Sequence, residues 1–509
     1  MTTEPQTATV NVSDSVSPRD AEEPLVLALD AGTSSIRALV YDRNGRRVSG
    51  WEVHRPYAVE TTADGGVTAD AGVLFDLTVA CIDDISAAVV RAGRKIGAVA
   101  CDTFWHSLMG TDTEGNALTP IYTWADTRSS AAASELRRKL DGRAVHSRTG
   151  AELHSSYWPA KFVWLAQTEA ELFSRVRYWM SFAEYLYLHL FGARWVSISM
   201  ASGTGLFDQN ACRWDPKVLS ALPLEEDQLS PLRDFSDGRR DLVATYRARW
   251  PGLTGIPWYL PIGDGAANNV GSGGSCAEWV VVMAGTSGAL RIVREAEHVE
   301  IPRGLWTYRM DARRFVQGGA LSAGGNVWAW LMQTLGIEDV DALERDLLRM
   351  QPDAHGLTVL PFLAGERSPE WNPSARAAIV GPTLHTTRED IVRATLEGIT
   401  YRFGLVYTIL RHTIAAVHGI IGSGAGLIHS PVWMQMMTDV LGESITASAV
   451  SEASSRGVAL LALEAMGSIS SIGAAPVPLG ERFDPVAEHT RIYRSALERQ
   501  QRLHQKLTE

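Results

Sequence analysis

The sequence predicts an α/β protein built as two domains of similar construction that face each other across a cleft. Three observations lead there. The tetrapeptide Ala-Gly-Thr-Ser occurs at Ala31 to Ser34 and again at Ala284 to Ser287, each time between apolar runs that read as strands. The two copies lie roughly half the chain apart, and 509 residues are too many for one hydrophobic core. Strand-like apolar runs also alternate with stretches of helical periodicity, as α/β domains require. The expected division is a disordered tail over 1–23, a first domain over 24–273 and a second over 274–509.

In chain order, residues 25–29 lead into the first copy and 36–41 lead out, so the turn sits at a hairpin tip. Residues 280–283 and 289–293 flank the second copy in the same way. Glycine frees the backbone at such a turn, and its amides and hydroxyls are left to cradle anionic oxygens. Neither copy is a Walker loop, because no Gly-x-x-x-x-Gly-Lys precedes a helix. An Asn-Gly turn at Asn44 and Gly45 leads to a third strand over 48–57, which makes the opening a meander. Residues 74–92 carry helical periodicity, and 96–101 read as a buried strand ending at Asp102-Thr103-Phe104-Trp105-His106-Ser107. Proline and charge clusters over 222–241 predict an irregular excursion, after which 258–262 deliver Gly263-Asp264-Gly265 from a strand end. In the second half, 390–411 form a long helix pattern and 417–421 feed the loop Gly422-Ser423-Gly424-Ala425-Gly426. Ser430-Pro431 opens another helix, with serine at the cap and proline in the first turn. The last clear helix covers 455–466, and a looser tail is expected beyond it.

Composition narrows the function. A net charge of -11 without a run of lysine or arginine argues against nucleic acid. Four cysteines, Cys81, Cys101, Cys212 and Cys276, have neither metal-ligand spacing nor a disulfide framework, which predicts reduced thiols in the cytoplasm. Residues 1–23 are polar and acidic with Arg19 as their one cation, unlike a signal or transit peptide. No run of about eighteen apolar residues reads as a membrane span.

Asp30 stands directly before the first turn, where a carboxylate repels phosphate unless a divalent cation bridges the two. Mg²⁺ on a nucleotide suits such oxygen ligation, so Asp30 is a candidate metal-organising residue; the alternative is a turn aspartate bonding nearby amides. Gly32, Thr33 and Ser34 on one side, and Gly285, Thr286 and Ser287 on the other, are candidate phosphate contacts or else ordinary turn residues. Arg37 either attracts phosphate or makes a surface ion pair. Asp264, between two glycines, is the candidate general base for an attacking hydroxyl and a second candidate metal contact; its alternative is a tight Asp-Gly turn. Trp105, His106 and Ser107, with Trp124, Asp126 and Arg128, mix flat apolar faces with donors and acceptors, as a polyhydroxylated ligand requires; core packing is the alternative. Gly422, Gly424 and Ala425 either let a nucleoside approach the backbone or form a plain strand-to-helix turn.

As an ordered set these segments resemble the FGGY family of carbohydrate kinases over 25–467. The resemblance is carried by Leu29-Asp30-Ala31-Gly32-Thr33-Ser34, Trp105-His106-Ser107-Leu108-Met109, Thr123-Trp124-Ala125-Asp126-Thr127-Arg128 and Gly263-Asp264-Gly265. It continues through Gly285-Thr286-Ser287-Gly288, residues 361–369, Gly422-Ser423-Gly424-Ala425 and Ser430-Pro431-Val432-Trp433. It implies two domains of the actin and Hsp70 type, which are ribonuclease H-like, with ATP and Mg²⁺ as cofactors. It further implies that Asp264 deprotonates the acceptor, Asp30 organises Mg²⁺, Gly285 and Thr286 contact phosphates, and Gly422, Gly424 and Ala425 line the nucleotide pocket. Trp105, His106, Trp124 and Asp126 match positions in or near the family's sugar pocket, and domain closure would exclude water.

Residues 106–109, 124–126 and 363–373 are similar to the gluconate kinase branch, whereas 266–269 also resemble kinases for neutral ketoses and polyols. A gluconate carboxylate needs a cationic partner, for which Arg128 is one candidate unless it forms a helix-start ion pair. The expected partner is therefore a small-molecule sugar or sugar acid, with gluconate preferred. Xylulose, ribulose, glycerol or another polyol is the alternative acceptor, and a nucleotide switch or sugar-sensing regulator is the non-enzyme alternative. A homodimer is left open.

Overall fold

A computed structural model describes residues 8–10 and 12–508. The first half begins with the strands β1 (Leu25–Ala31), β2 (Ser35–Tyr41) and β3 (Arg47–Pro56), paired as an antiparallel meander. The helix α1 (Ala71–Arg91) starts at Asp70, whose carboxylate accepts from Val73 N–H and so satisfies one free amide of the first turn. Next come β4 (Ile96–Thr103) and the short β5 (Ile262–Gly263), which runs into α2 (Asp264–Gly271). In the sheet the order is β5-β4-β1-β2-β3, with β1, β4 and β5 parallel.

The second half repeats this plan. Its strands are β6 (Trp279–Ala284), β7 (Gly288–Glu295), β8 (Trp306–Arg309) and β9 (Arg314–Leu321). The long α3 (Arg388–Arg411) and β10 (Gly419–Ser423) follow, then β11 (Ile445–Ser448), α4 (Ala453–Ala465), β12 (Val477–Phe483) and α5 (Ala487–Thr508). The antiparallel hairpin β6-β7 continues to β9 and β8, and β10 and β11 lie parallel on the other side of β6. Each Ala-Gly-Thr-Ser turn thus occupies the same place in its sheet: the tip of the hairpin whose first strand also has a parallel neighbour.

β1 is buried on both faces, which explains its unbroken apolar sequence. Leu25, Leu27 and Leu29 share a core with Leu74, Ile82 and Ile85 of α1. Val26 and Ala28 share one with Ala266, Ala267 and Val270 of α2 and with 458–463 of α4. Although α4 belongs to the second half in sequence, it therefore packs on the first sheet. It crosses α2 backbone to backbone, because Gly271 and Gly457 sit at the crossing. A Cβ on Gly457 would overlap the Ala267 carbonyl, and one on Gly271 would overlap that of Ala453. Beside them the buried Arg456 donates to the carbonyls of Gly45, Gly271 and Pro476, joining three segments.

Two expectations are corrected. The stretch 1–23, expected as a disordered tail, carries strands within its described part: 8–10 pair with β12 and 15–16 pair with β3. Arg94 also anchors it by donating to the carbonyls of Pro18 and Ala21. Low hydrophobicity hid this, since ladder hydrogen bonds need no apolar side chain. The looser tail expected after 466 is instead β12 and the 22-residue α5. Gln500 of α5 donates to the carbonyls of Val359 and Gly398, and His504 is held between Glu366 and Glu370. Among the described residues no helix is long and apolar enough to cross a membrane.

Candidate active site

The two turns line one cleft of about 1680 Å³, and Asp264 lies in its wall. Gly32 N–H closes the first turn onto the Ser35 carbonyl, leaving Thr33 and Ser34 on the cleft surface. Gly285 N–H closes the second onto Ser287 in the same way. The second turn is also braced from behind, because Gly325 and Asn326 donate their amides to the carbonyls of Gly285 and Thr286.

Carboxylates gather at the parallel ends of the first sheet. Asp30 ends β1 beside Asp102 of β4, the two being register partners, and β5 carries Asp264 to the start of α2 next to them. Burial pushes Asp30 up to about 6; Arg37 opposes this, while Asp264 and Glu452 reinforce it. Asp102, fully buried, is driven well above the ordinary carboxylate range by burial and by Asp30 and Asp264. Neither Asp102 oxygen accepts from an N–H or hydroxyl among the described residues, and its hydrogen-bond partner is the Asp30 carboxyl. Asp264 is raised by burial too, against the lowering effect of Arg291 and of the Gly265 and Trp105 amides. Its Oδ1 accepts from Gly265 N–H at 2.8 Å. Three carboxylates with raised affinity for positive charge, one of them without an N–H or hydroxyl donor, suit a hard divalent cation.

Beyond Asp264 the cleft wall is aromatic. Trp306 stacks on Tyr308 at 4.6 Å between centroids, Trp105 meets Tyr308 at 5.0 Å, and His106 meets Tyr157 at 4.9 Å. Tyr157 and Tyr308 share a 2.6 Å hydrogen bond, joining a side chain from each half of the chain. Burial pushes both His106 and His154 down to about 3, so both rings are neutral at ordinary pH. Two arginines reach this region, Arg291 from β7 and Arg367 from the loop after 361.

The structure therefore brings together Thr33, Ser34, Trp105, His106, Trp124, Asp264, Gly285, Thr286 and Ser287. Asp30 stands just behind the wall, 8% exposed, and Gly32 lies within the first turn. Arg37 is spent on Glu452 at 2.8 Å and lies 3.8 Å from Asp30, so it forms an ion pair. Three expected sugar contacts are placed elsewhere. Ser107 is fully buried, and its carbonyl accepts from Trp158 Nε1. Asp126 turns inward and accepts from the Val67 amide and from Arg128, whose guanidinium lies over the Trp164 ring. An exposed-looking Asp-Thr-Arg sequence is in fact a closed local ion pair, so Arg128 is not free for a carboxylate.

The glycine loop is likewise off the cleft wall. Gly422 is buried against Met434 and Ile445, and Ala425 is exposed on a one-turn helix. Gly424 has φ +84°, and a Cβ there would come within 2.5 Å of the Ala284 carbonyl, so this loop backs the second turn. Sequence reasoning overlooked Asp102, Arg291, Arg367, Tyr157, Trp306 and Tyr308. Arg291 did carry a signal, being a charge within the buried part of β7, and Asp102 is the last residue but one of β4, beside Asp30 in the same place in β1.

The model for the N-terminal domain of the FGGY family of carbohydrate kinases matches residues 25–271, and that for its C-terminal domain matches 280–466. The chain belongs to the FGGY family of carbohydrate kinases. The gluconokinase of Bacillus subtilis (strain 168) is 27% identical over 93% of this chain and 94% of its own. A xylulose kinase of Staphylococcus xylosus is 24% identical over 92% of this chain and 97% of its own. The crystal structure of gluconate kinase from Lactobacillus acidophilus superposes with a TM-score of 0.88 at 23% identity, covering 95% of this chain and 98% of the other. This FGGY kinase thus has the two-domain actin and Hsp70-like, ribonuclease H-like fold and is a sugar kinase. Relatives named for different acceptors lie at comparable identity, so likeness alone does not choose between them.

The acid cluster makes a stability prediction for the FGGY kinase. Asp30 binds its proton more tightly in the folded chain, at about 6 against 3.8. The associated stability is full below 3.8 and lost as pH rises to about 6. At neutral pH without metal, Asp30→Asn is therefore expected to stabilise the fold by roughly 3 kcal/mol, since each tenfold change in proton affinity corresponds to about 1.4 kcal/mol. The same variant should raise the Mg²⁺ concentration needed for turnover at least about tenfold. Melting curves and Mg²⁺ titrations check both; a variant less stable than the parent at pH 7 refutes the charge argument.

Proposed function

We propose that this kinase transfers the γ-phosphoryl group of ATP to a hydroxyl of gluconate, with Asp264 as general base. The observation that carries the reading is that both threonine-bearing turns and Asp264 line a single cleft. Turn amides and hydroxyls from opposite halves would hold the polyphosphate, fixing the γ-phosphorus relative to Asp264. The acceptor hydroxyl gives its proton to Asp264 as its oxygen attacks phosphorus, and ADP leaves on the opposite side. Mg²⁺, for which Asp30 and Asp264 with the neighbouring Asp102 are the fitting residues, would offset charge on the phosphate oxygens. Approach of the two halves would exclude water, a competing acceptor for the phosphoryl group.

Gluconate is preferred because two of the compared relatives are named for it and because the motif segments of that branch include residues on the cleft wall. A neutral ketose or polyol is the second reading, favoured by the xylulose kinase relative. The sequence feature that supported it counts for little, since Asn269 is buried and donates to the Gly274 carbonyl.

ADP release measured across sugar acids, ketoses, aldoses and polyols tests the choice. Gluconate is expected to exceed xylulose, ribulose and glycerol in kcat/KM by at least about a hundredfold. Faster turnover of a neutral sugar would replace gluconate by that sugar.

A further inference from the structure

Two guanidinium groups on the cleft wall have no carboxylate of their own except Asp264. Arg367 donates from Nη2 to the Leu321 carbonyl at 2.8 Å, and its Nε has no partner among the described residues. Its Cζ lies 5.1 Å from the centroid of the Trp124 ring. Arg291, 9% exposed, has neither Nε nor Nη1 paired among the described residues, and its Cζ lies 6.0 Å from the Trp306 ring. Burial holds both below the usual arginine range; the two repel one another, and Asp264 opposes this only at Arg291.

The other charges nearby are either paired or exposed to solvent. Glu366 is engaged by Arg402 and His504, and Glu370 by His504 Nδ1 at 2.7 Å. Arg137 and Arg376 are exposed at the rim and donate to backbone carbonyls. His106 and His154 are neutral. The cleft wall therefore carries the buried Arg291 and the partly buried Arg367 against the carboxylate of Asp264, in a chain whose net charge is -11. A buried guanidinium without a counterion is costly, and a bound anion removes that cost. Arg367 reaches the Leu321 carbonyl, whose register partner Gly288 directly follows the second turn, and its other neighbours are Trp124, Tyr157 and Tyr308.

We propose that Arg367, with Arg291 beside it, binds the carboxylate of the acceptor and thereby selects a sugar acid over the neutral sugar of the same length. The inference rests on the kinase reading above and names the residues that set its specificity. Arg367 supplies the forked donors that a carboxylate matches, with the Trp124 ring beside them. A neutral polyol leaves the guanidinium desolvated and unpaired, which is the stronger part of the discrimination.

The experiment compares gluconate with glucitol, which differs in bearing a hydroxymethyl group in place of the carboxylate, in the full-length kinase with Mg²⁺ and ATP. Arg367→Met is expected to lower the gluconate-to-glucitol ratio of kcat/KM about a hundredfold while the KM for ATP changes by less than about twofold. Arg367→Lys, which keeps the charge without the fork, is expected to lose about tenfold and serves if the methionine variant does not fold. An unchanged ratio, or a rise in the KM for ATP with both acceptors falling together, overturns the inference and assigns Arg367 to the phosphoryl group. If the parent enzyme instead prefers a neutral sugar, the gluconate reading fails by itself. Gluconate is then used as a competitive inhibitor: a Ki raised about a hundredfold in Arg367→Met sustains the carboxylate site, and an unchanged Ki removes it.

Discussion

Asp264→Asn is expected to lower kcat by about a hundredfold to ten-thousandfold while nucleotide affinity, measured by calorimetry with ADP, changes little. Asparagine fills nearly the same volume at the first residue of α2 and keeps an oxygen for the Gly265 amide, so the fold should persist. What it loses is the capacity to accept a proton from the attacking hydroxyl. The parent enzyme should also show an acid limb in kcat/KM above the ordinary aspartate range, because burial raises Asp264 and only its deprotonated form is a base. Arg291→Gln removes the charge that opposes this rise, so the limb should move to higher pH. Full turnover in Asp264→Asn, or a limb that moves to lower pH in Arg291→Gln, would overturn the assignment.

Gly457→Ala is expected to destabilise the chain by about 3 kcal/mol, the upper part of the range for overpacking. The new methyl meets the Ala267 carbonyl, a backbone atom inside α2 that cannot rotate away, so one helix must shift against the other. Because α2 begins with Asp264, the shift reaches the proposed base. A displacement of about 1 Å there is enough to lower kcat about a hundredfold. Gly142→Ala, where a Cβ meets nothing within 4 Å, is the control expected to leave stability and rate unchanged. Denaturant midpoints and kcat, measured on the same preparations, check the pair; a Gly457→Ala protein indistinguishable from the parent would show that the crossing yields.

Local chemistry was legible in the sequence wherever it is local in the fold. Residues 31–34 and 284–287 announce their turns because a hairpin tip is specified by the residues within it, and Asp264 is marked by its flanking glycines. Three features were not legible, for reasons that lie in contacts distant along the chain or in side-chain orientation. Asp126 and Arg128 are two residues apart and close on each other, whereas a string of letters shows only that both are polar. The stretch 8–10 pairs with β12, more than 460 residues away. α4 lies near one end of the chain and packs on the sheet near the other.

By itself, the sequence determined the α/β class, the duplicated Ala-Gly-Thr-Ser turn, the candidate base and the family, since these depend on periodicity and short runs of neighbouring residues. Tertiary structure alone decided which carboxylates gather beside Asp264, which arginines on the cleft wall keep unpaired donors, and how tightly α4 presses on the helix that carries the proposed base. The physical reason is that burial and charge compensation belong to sets of residues brought together from separate strands and loops. Asp102 and Arg367 acquire their chemistry from neighbours that folding supplies.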